Sequence, residues 1–250
     1  MTSRPDASAK LKAAAPKQGP NRILIGGVVA AVAIIGIVLA VILGSSGSGS
    51  GSSGASGSSA LPQGATGTGG GIVANASTAK AGAPTLDLYE DFQCPVCGKL
   101  EQVFGQQISS MAKAGDIKLV VHMMSFLDAK LGNDSSVRAA AAAACAADQG
   151  KFLDYHGVVY ANQPAQEGAG YTDADLMGFA SKAGISGSAL TTWTKCFDAK
   201  THLGYAKDVE TAAEKAGVFS TPTLKLNGKD LPLQQLSQQY LTDQVKAATK

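Results

Sequence analysis

The residues with the clearest chemical potential are Cys94 and Cys97, which are separated by Pro95 and Val96. Two thiols at this spacing can form a redox couple, supply half of a zinc site, or form an inert structural disulfide. A predicted strand ends just before Cys94, and a predicted helix starts at Pro95. Proline is favoured at the first helical position because its missing N–H would have no intrahelical partner there. Cys94 is therefore predicted to be the N-cap of a helix.

The N-cap position determines the reactivity expected of Cys94. The backbone N–H groups of Val96 and Cys97 can donate hydrogen bonds to an N-cap side chain, and the positive end of the helix dipole lies at the same place. Both effects stabilise the thiolate, which is the attacking species in thiol–disulfide exchange. We expect Cys94 to be a nucleophile with a lowered pKa. Cys97, one turn further along and less exposed, is expected to be the resolving thiol.

A zinc site would need two further ligands. The three histidines, His122, His156 and His202, lie in separate predicted elements without a second paired motif. A redox couple without metal or other cofactor is therefore the preferred interpretation. His156 and His202 are expected on helix surfaces or at helix caps. Glu90 and Asp91 precede the motif; carboxylates close to a thiolate would oppose it, and we expect both to be solvated loop residues.

A second motif, Thr221-Pro222, stands just before a predicted strand. Proline is unusual there because it removes a backbone donor and restricts the preceding residue. One interpretation is an ordinary loop proline. The other is a cis Thr221–Pro222 peptide that faces the redox couple and lets the Thr221 backbone pair with an extended substrate.

The remaining cysteines are Cys145, in an alanine-rich predicted helix, and Cys196, in a later helix that also contains Trp193. In an oxidising compartment, with Cys94 and Cys97 used as a couple, these two are left to form a structural disulfide. The alternative is two free buried cysteines that pack as small hydrophobic side chains. Trp193 is expected in the core.

The elements around the motifs follow from the spacing of apolar residues. The pattern predicts a strand over Thr85–Tyr89, a helix from Pro95 to Ala114 and a buried strand over Ile117–Met123. A strand, a helix and a strand in succession form a βαβ unit with parallel strands. Near the C-terminus, Asn227-Gly228 predicts a hairpin turn. It joins strands Thr223–Leu226 and Lys229–Leu233, and a helix from Leu236 to Ala248 follows.

Residues 133–216 contain helical patterns only, so the predicted fold is α/β with an inserted helical domain. The segment Asp134-Ser135-Ser136 is expected to cap the first inserted helix, in which six consecutive alanines favour helix formation. Five helices are predicted in this insertion: Val137–Ala147, Phe152–Tyr160, Asp173–Ala183, Ser188–Ala199 and Leu203–Ala216.

The N-terminal part of the chain is predicted to target the protein to the membrane and to anchor it there. Residues 23–43 carry no charge, and roughly 20 apolar residues span a bilayer as a helix. A cleaved signal peptide is the alternative, although its apolar region is usually about 7–15 residues long. Residues 1–22 hold five basic residues against one acid, which places them in the cytoplasm and the rest of the chain outside.

The segment after the predicted transmembrane helix is expected to be a linker, followed by one domain. Residues 44–59 are only glycine, serine and alanine, which cannot bury enough apolar surface to fold. A flexible linker over 44–70 would have a reach on the order of 30 Å, and the catalytic domain would cover 71–250. The net charge of +2, with scattered charges, argues against a nucleic-acid partner.

The motifs resemble those of a known family. Residues 89–98, YEDFQCPVCG, are similar to the active-site segment of the DsbA-like family of thioredoxin-fold proteins, and residues 218–223, VFSTPT, are similar to its cis-proline segment. The helical insertion between strands is also the family's architecture. The resemblance covers about residues 71–250, and the anchor, linker and second cysteine pair resemble actinobacterial members.

This resemblance implies a thioredoxin fold with a helical insertion, a cis Pro222, and donation of disulfides to exported proteins that have free thiols. It also implies reoxidation by a membrane quinone reductase of the DsbB or vitamin-K-epoxide-reductase type. Strongly oxidising members carry histidine between the cysteines, so Val96 points to a weaker oxidant. Thr221, rather than valine, before Pro222 is found in several isomerase-like relatives.

Three functions therefore remain in view from the sequence. The first is an oxidase of exported proteins, anchored in the membrane and working through Cys94 and Cys97. The second is a reductase or isomerase of the same fold. The third is a tethered binding module without catalysis, in which the disulfide is inert.

Overall fold

A computed structural model describes residues 60–249. The predicted cytoplasmic segment, the predicted transmembrane helix and the first part of the predicted linker lie outside these residues. Within the described part of the chain, no helix is both long and apolar enough to cross a membrane.

A mixed five-stranded sheet forms the centre of the described chain, in the order β1-β3-β2-β4-β5. The strands are β1 Ile72–Val73, β2 Thr85–Glu90, β3 Lys118–Met123, β4 Thr223–Leu226 and β5 Lys229–Asp230. β2 pairs with β3 in parallel and with β4 in the antiparallel direction. The predicted βαβ unit is therefore confirmed. Because β2 and β4 are antiparallel neighbours, the C-terminal end of β2 lies beside the N-terminal end of β4. Residues that follow β2 and residues that precede β4 therefore meet at the same end of these two strands.

The helix after β2 has an irregular middle. It runs as α1 Pro95–Leu100, a π-helical segment Glu101–Gly105 and α2 Gln106–Ala114. It ends at Gly115, whose φ of 75° is the left-handed conformation that glycine adopts without a Cβ clash. The sequence predicted one continuous helix here, since a π turn leaves no periodic signal. Such turns occur often at functional sites.

The inserted helical domain follows β3 and agrees with the predicted helices to within two residues. Its helices are α3 Phe126–Leu131, α4 Ser135–Ala147, α5 Phe152–Ala161, α6 Asp173–Lys182, α7 Gly187–Asp198 and α8 Leu203–Lys215. The helix α3 and the short strand β1 were not predicted. The alanines make α4 narrow enough to be buried along its length, and it packs against α5, α7 and α8. Trp193 is fully buried, as expected.

The N-terminus of α4 is capped from a distance. Within the predicted capping segment 134–136, Asp134 occupies the N-cap position, but its side chain makes no capping hydrogen bond and pairs with Arg138 instead. The carboxylate of Asp128 accepts hydrogen bonds from the N–H groups of Ser136, at 2.8 Å, and Val137, at 2.9 Å. Asp128 can reach these donors because the unpredicted α3 ends immediately before α4.

The C-terminal hairpin forms as predicted at its turn. Asn227 and Gly228 have φ values of 49° and 77°, the left-handed conformation that a tight hairpin turn requires at both central residues. The second strand is shorter than expected, although the Leu231 N–H still donates to the Leu224 carbonyl. α9, Gln238–Ala248, closes the chain.

The predicted linker over 44–70 is corrected at its C-terminal end, because residues 60–70 pack on the folded domain. The Tyr205 hydroxyl donates to the Gly70 carbonyl at 2.6 Å, and the Ala60 carbonyl lies 2.8 Å from Nδ1 of His202. A Cβ at Gly69 would lie 2.7 Å from the Asp208 carbonyl oxygen. Glycine at position 69 therefore permits close contact with α8. The glycine-rich composition of this segment had instead suggested a flexible chain.

Candidate active site

The two predicted motifs meet where the C-terminal end of β2 lies beside the N-terminal end of β4. Cys94 is the N-cap residue of α1, and Pro95 occupies the first turn. The Thr221–Pro222 peptide is cis. The Cys94 sulfur lies 3.5 Å from the Thr221 carbonyl oxygen, across 127 positions of sequence.

The pKa of Cys94 is lowered to about 6. The largest cause is a hydrogen bond from the Cys97 thiol, and burial of the sulfur acts against it. Thr221 and the backbone N–H groups of Cys97 and Val96 lower this pKa further. The sulfur makes no hydrogen bond of capping geometry, so these N–H groups act mainly through their dipoles. The predicted direction of the shift is right, but the leading cause is the second thiol rather than the helix cap.

Cys97 is fully buried, and its pKa is raised. Burial is the largest cause, followed by the hydrogen bond to Cys94 and the charge of Glu90. The two thiols therefore differ strongly: one ionises at neutral pH, and the other stays protonated.

Glu90 is buried, not solvated as predicted. It has no exposed surface, and its Oε2 lies 2.8 Å from Nε2 of His156. Burial raises the pKa of Glu90 and lowers that of His156, so both residues favour their neutral forms. The expectation that His156 lies on a helix surface is also wrong, because the insertion folds this face of α5 over the end of β2.

His202 occupies the N-cap position of α8, one of the two placements predicted for it, but it is buried, and its Nε2 lies 2.7 Å from the Asp148 carboxylate. Asp91 is buried as well. It accepts hydrogen bonds from the Ser136 hydroxyl and from the N–H groups of Gln93 and Leu127. Burial raises the pKa of Asp91 to about 7. These contacts fix the loop before Cys94 against the insertion.

Two side chains of the insertion hold the backbone of the active-site loop. The Gln163 amide donates to the carbonyls of Phe92, at 2.8 Å, and Cys94, at 3.0 Å. The Tyr171 hydroxyl also donates to the Phe92 carbonyl, at 2.8 Å. A Cβ at Gly98 would collide with the Gln163 side chain. These partners were not predicted, because nothing local to residues 163 or 171 marks them as neighbours of Cys94.

The surface beside the couple is apolar and accessible. Val96 is 53% exposed and Phe219 is 72% exposed. Phe219 belongs to the loop that carries Thr221 and Pro222. Exposed apolar residues around a reactive group are typical of a binding surface for another chain.

The second cysteine pair is joined. Cys145 of α4 and Cys196 of α7 form a disulfide, with their Cα atoms 5.9 Å apart. Among the described residues, two groups of three side chains could hold a metal ion: Cys145, Cys196 and His202, and Glu90, Glu101 and His156. The first group has both sulfurs already bonded to each other.

Comparisons with known proteins agree with this geometry. The family model described as Thioredoxin matches residues 77–246. The reduced disulfide bond oxidoreductase DsbG of Mycobacterium tuberculosis is 29% identical, with 73% of this chain and 88% of that chain covered and a TM-score of 0.60. Oxidised DsbA of the same organism is 28% identical, with coverage of 67% and 83% and a TM-score of 0.58.

A third solved structure is MdbA, a thiol-disulfide oxidoreductase from Corynebacterium diphtheriae. It is 25% identical, with 76% of this chain and 96% of that chain covered and a TM-score of 0.60. A curated relative, the Na(+)/H(+) antiporter NhaA 1 of Salinispora arenicola, is 28% identical over 145 residues, which span 20% of that protein.

The fold is that of a DsbA-like thiol–disulfide oxidoreductase with a helical insertion. The Cys-Pro-Val-Cys sequence lies at the N-terminus of a helix in this fold. The family match covers more than half of the sequence. The chain therefore belongs to the thioredoxin family.

Proposed function

We propose that this protein introduces disulfide bonds into exported proteins, outside the cytoplasm, through the Cys94–Cys97 couple. The observation that carries the proposal is the difference between the two thiols. The pKa of Cys94 is lowered to about 6, whereas burial raises the pKa of Cys97. A stable Cys94 thiolate favours the reduced form of the couple, and a couple with a stable reduced form is an oxidant.

The proposed cycle begins with the Cys94–Cys97 disulfide. A substrate thiolate attacks the Cys94 sulfur, the Cys94–Cys97 bond breaks, and Cys97 leaves as a thiolate that takes up a proton because it is buried. A second substrate thiolate then attacks the substrate sulfur of the mixed disulfide, and Cys94 leaves as a thiolate. The substrate loses two electrons, and the couple gains them.

Thr221 and Pro222 are proposed to hold the substrate beside Cys94. The Thr221 carbonyl lies next to the Cys94 sulfur, where it can accept a hydrogen bond from an N–H of an extended chain. The exposed Val96 and Phe219 would contact apolar side chains that an unfolded substrate displays. Pro95 would contribute by starting α1 directly after the nucleophile, which leaves Cys94 at the positive end of the helix.

The strength of the oxidant is proposed to be moderate. Val96 brings no charge near Cys94, and a pKa of about 6 lies between those of DsbA, ~3.5, and thioredoxin, ~7. We expect a reduction potential between about −120 mV and about −270 mV, the values of those two proteins.

Membrane attachment and reoxidation are proposed from the sequence. Residues 23–43 would form a single transmembrane helix with the N-terminus in the cytoplasm, and residues 44–59 would be the flexible linker. A membrane quinone reductase of the DsbB or vitamin-K-epoxide-reductase type would reoxidise the couple. The charge pattern around residues 23–43 supports this orientation. Cleavage as a signal peptide is the alternative.

A reductase or isomerase is the second candidate, favoured by the uncharged Val96 and by Thr221. The reduction potential of the Cys94–Cys97 couple in the full-length protein, measured in glutathione buffers, distinguishes the oxidase from the reductase or isomerase. A value near −270 mV, about that of thioredoxin, would contradict the oxidase.

The non-catalytic binding module is tested with a maleimide after mild reduction. Fast labelling of Cys94 and slow labelling of Cys97 at neutral pH is expected for exchange chemistry. Equal and slow labelling of both would favour the module. As a trap for substrates, Cys97→Ala should accumulate mixed disulfides on Cys94, with Cys94→Ala as the matched negative control.

A further inference from the structure

The residue directly before the nucleophile, Gln93, has a buried side chain. Only 4% of the residue is exposed. Glutamine is mostly exposed in folded proteins, because burial of an amide is costly unless its polar atoms find hydrogen-bond partners. The partners of Gln93 therefore show what holds the loop that carries Cys94.

The partners of the Gln93 amide lie at the junction of α3 and α4 in the insertion. Nε2 of Gln93 lies 2.9 Å from each of three acceptors, which are Oδ1 of Asp128, Oδ1 of Asn133 and Oγ of Ser136. Oε1 of Gln93 accepts a hydrogen bond from Nδ2 of Asn133 at 3.1 Å. These partners are 35 to 43 positions away in the sequence. The orientation of the amide is determined, because the opposite one would place Oε1 against the Asp128 carboxylate.

A closed ring of hydrogen bonds joins this side chain to the backbone of the same residue. The Ser136 hydroxyl, which accepts from Nε2 of Gln93, donates to Oδ1 of Asp91. The same Asp91 oxygen accepts the backbone N–H of Gln93 at 2.9 Å. The Asp91 carbonyl in turn accepts the N–H of Cys94, also at 2.9 Å. The ring therefore restrains the backbone on both sides of the Gln93–Cys94 peptide.

This restraint matters because the reactivity of Cys94 depends on where its sulfur lies. The pKa of Cys94 is lowered first by a hydrogen bond from the Cys97 thiol and also by the N–H groups of Cys97 and Val96. These donors belong to α1, so they stay in place when the loop before Cys94 moves. A small displacement of the sulfur would lengthen these contacts, and hydrogen bonds weaken steeply with poorer geometry.

We propose that Gln93 is a positioning residue, through which the junction of α3 and α4 holds the Cys94 sulfur at the start of α1. Gln93 acts through the backbone before the nucleophile, whereas Gln163 holds the Cys94 carbonyl after it. Loss of the Gln93 amide leaves both thiols in place but makes the Cys94 thiolate less stable. A couple with a less stable reduced form is a weaker oxidant.

Gln93→Met tests the role, because methionine has a similar length and volume but no amide and no charge. In the full-length protein with the couple reduced, alkylation of Cys94 by iodoacetamide is measured as a function of pH, with the labelled peptide identified by mass spectrometry. The midpoint, about pH 6 in the wild type, should move to higher pH. At pH 6 the rate should fall by about fivefold, as expected when the midpoint moves by about one pH unit. The reduction potential should become more negative.

Gln107→Met is the matched control. Nε2 of Gln107 donates to the Gln238 carbonyl at 2.7 Å and to the Thr242 hydroxyl at 3.0 Å, so this amide joins α2 to α9 instead of the active-site loop. The substitution removes hydrogen bonds between two elements, as Gln93→Met does. It should lower the free energy of unfolding but leave the alkylation profile of Cys94 and the reduction potential at their wild-type values.

A wild-type alkylation profile in folded Gln93→Met would overturn the inference. An equal shift in Gln107→Met would also overturn it, since loss of any amide contact between elements would then act on Cys94. If Gln93→Met does not fold, Asn133→Ala decides. It removes the partner amide from the other side, and its alkylation midpoint should also move to higher pH, whereas a wild-type profile there would contradict the role of Gln93.

The inference rests on the proposed exchange chemistry, and the measurements separate the two. Alkylation profiles require no substrate, so they test the position of the Cys94 sulfur alone. Oxidation of a reduced, unfolded substrate by the wild-type protein tests the proposed function. Absence of that oxidation, together with a shifted profile in Gln93→Met, would refute the oxidase and leave the positioning role intact.

Discussion

The two cysteine pairs of this protein differ in their spacing, their surroundings and their bonding. Cys94 and Cys97 are three positions apart at a helix N-terminus, and their thiol pKa values are shifted in opposite directions. Cys145 and Cys196 are 51 positions apart and join two helices of the insertion. The first pair is free and lies beside the exposed Val96, whereas the second is already bonded.

The difference shows what separates exchange from structural cross-linking. Exchange needs two unequal sulfurs, one stabilised as a thiolate near the surface and one kept protonated inside. A structural bridge needs only two positions that the fold holds at bonding distance. The pKa of Cys94 is lowered first by the hydrogen bond from the Cys97 thiol and then by Thr221 and the helix N-terminus. Burial raises the pKa of Cys97.

The largest effect is expected from Cys94→Ser. The substitution removes the only sulfur of the couple that is ionised at neutral pH, so oxidation of a reduced, unfolded substrate should fall to the uncatalysed rate. The measurement is the rate of disulfide formation in that substrate. The double variant Cys145→Ala/Cys196→Ala should keep most of the activity while it remains folded. Equal activity losses in the two proteins would break the distinction between the pairs.

The second-largest effect is expected on the free energy of unfolding. It should come from removal of the Cys145–Cys196 disulfide. A bridge that closes a loop of 51 residues stabilises a fold by about 4 kcal/mol in the loop-closure account. Cys145→Ala/Cys196→Ala should lower the free energy of unfolding by that order, measured by urea denaturation at fixed pH with Cys94 and Cys97 oxidised. A loss below about 1 kcal/mol would show that the bridge is not the main constraint on the insertion.

The third effect is a pH dependence of the reduced protein. The pKa of Cys94 is lowered from its usual value to about 6 in the folded state, so its contribution to stability is present above the unfolded pKa and is lost as pH falls through about 6. The melting temperature of the reduced protein, relative to the oxidised one, should therefore rise between about pH 6 and the unfolded thiol pKa of about 8.5. The same scan on reduced Cys94→Ser should lack this rise.

The smallest effect tests how the insertion supports the active site. In Gly98→Ala, the new methyl group displaces Gln163, which loses its hydrogen bonds to the Phe92 and Cys94 carbonyls. A destabilisation of about 1–2 kcal/mol is expected, together with a change in the Cys94 alkylation rate. Gly157→Ala is the matched control in α5, because a Cβ there meets nothing within 4 Å. A loss in both variants of equal size would contradict the role of Gln163.

Much of the fold followed from local patterns. The alternation in β2, the Pro95 start of α1 and the Asn227-Gly228 turn each depend on a few adjacent residues, and all three were predicted. The elements that were missed are short or irregular: β1, α3 and the π-helical segment. Residues 60–70 were wrongly assigned to a flexible linker because they continue a glycine-rich segment, although Gly69 lies against α8.

The sequence by itself determined the chemistry of the protein: two thiols at the start of a helix, and a proline motif before a later strand. Spacing and helix position are local properties, so they act on Cys94 and Cys97 wherever the rest of the chain goes. Tertiary structure decided how unequal the thiols are. Glu90 and His156 meet across 66 positions of sequence, and Gln163 reaches the Cys94 carbonyl across 69. Such contacts depend on how the insertion packs over β2, which leaves no signal in neighbouring residues.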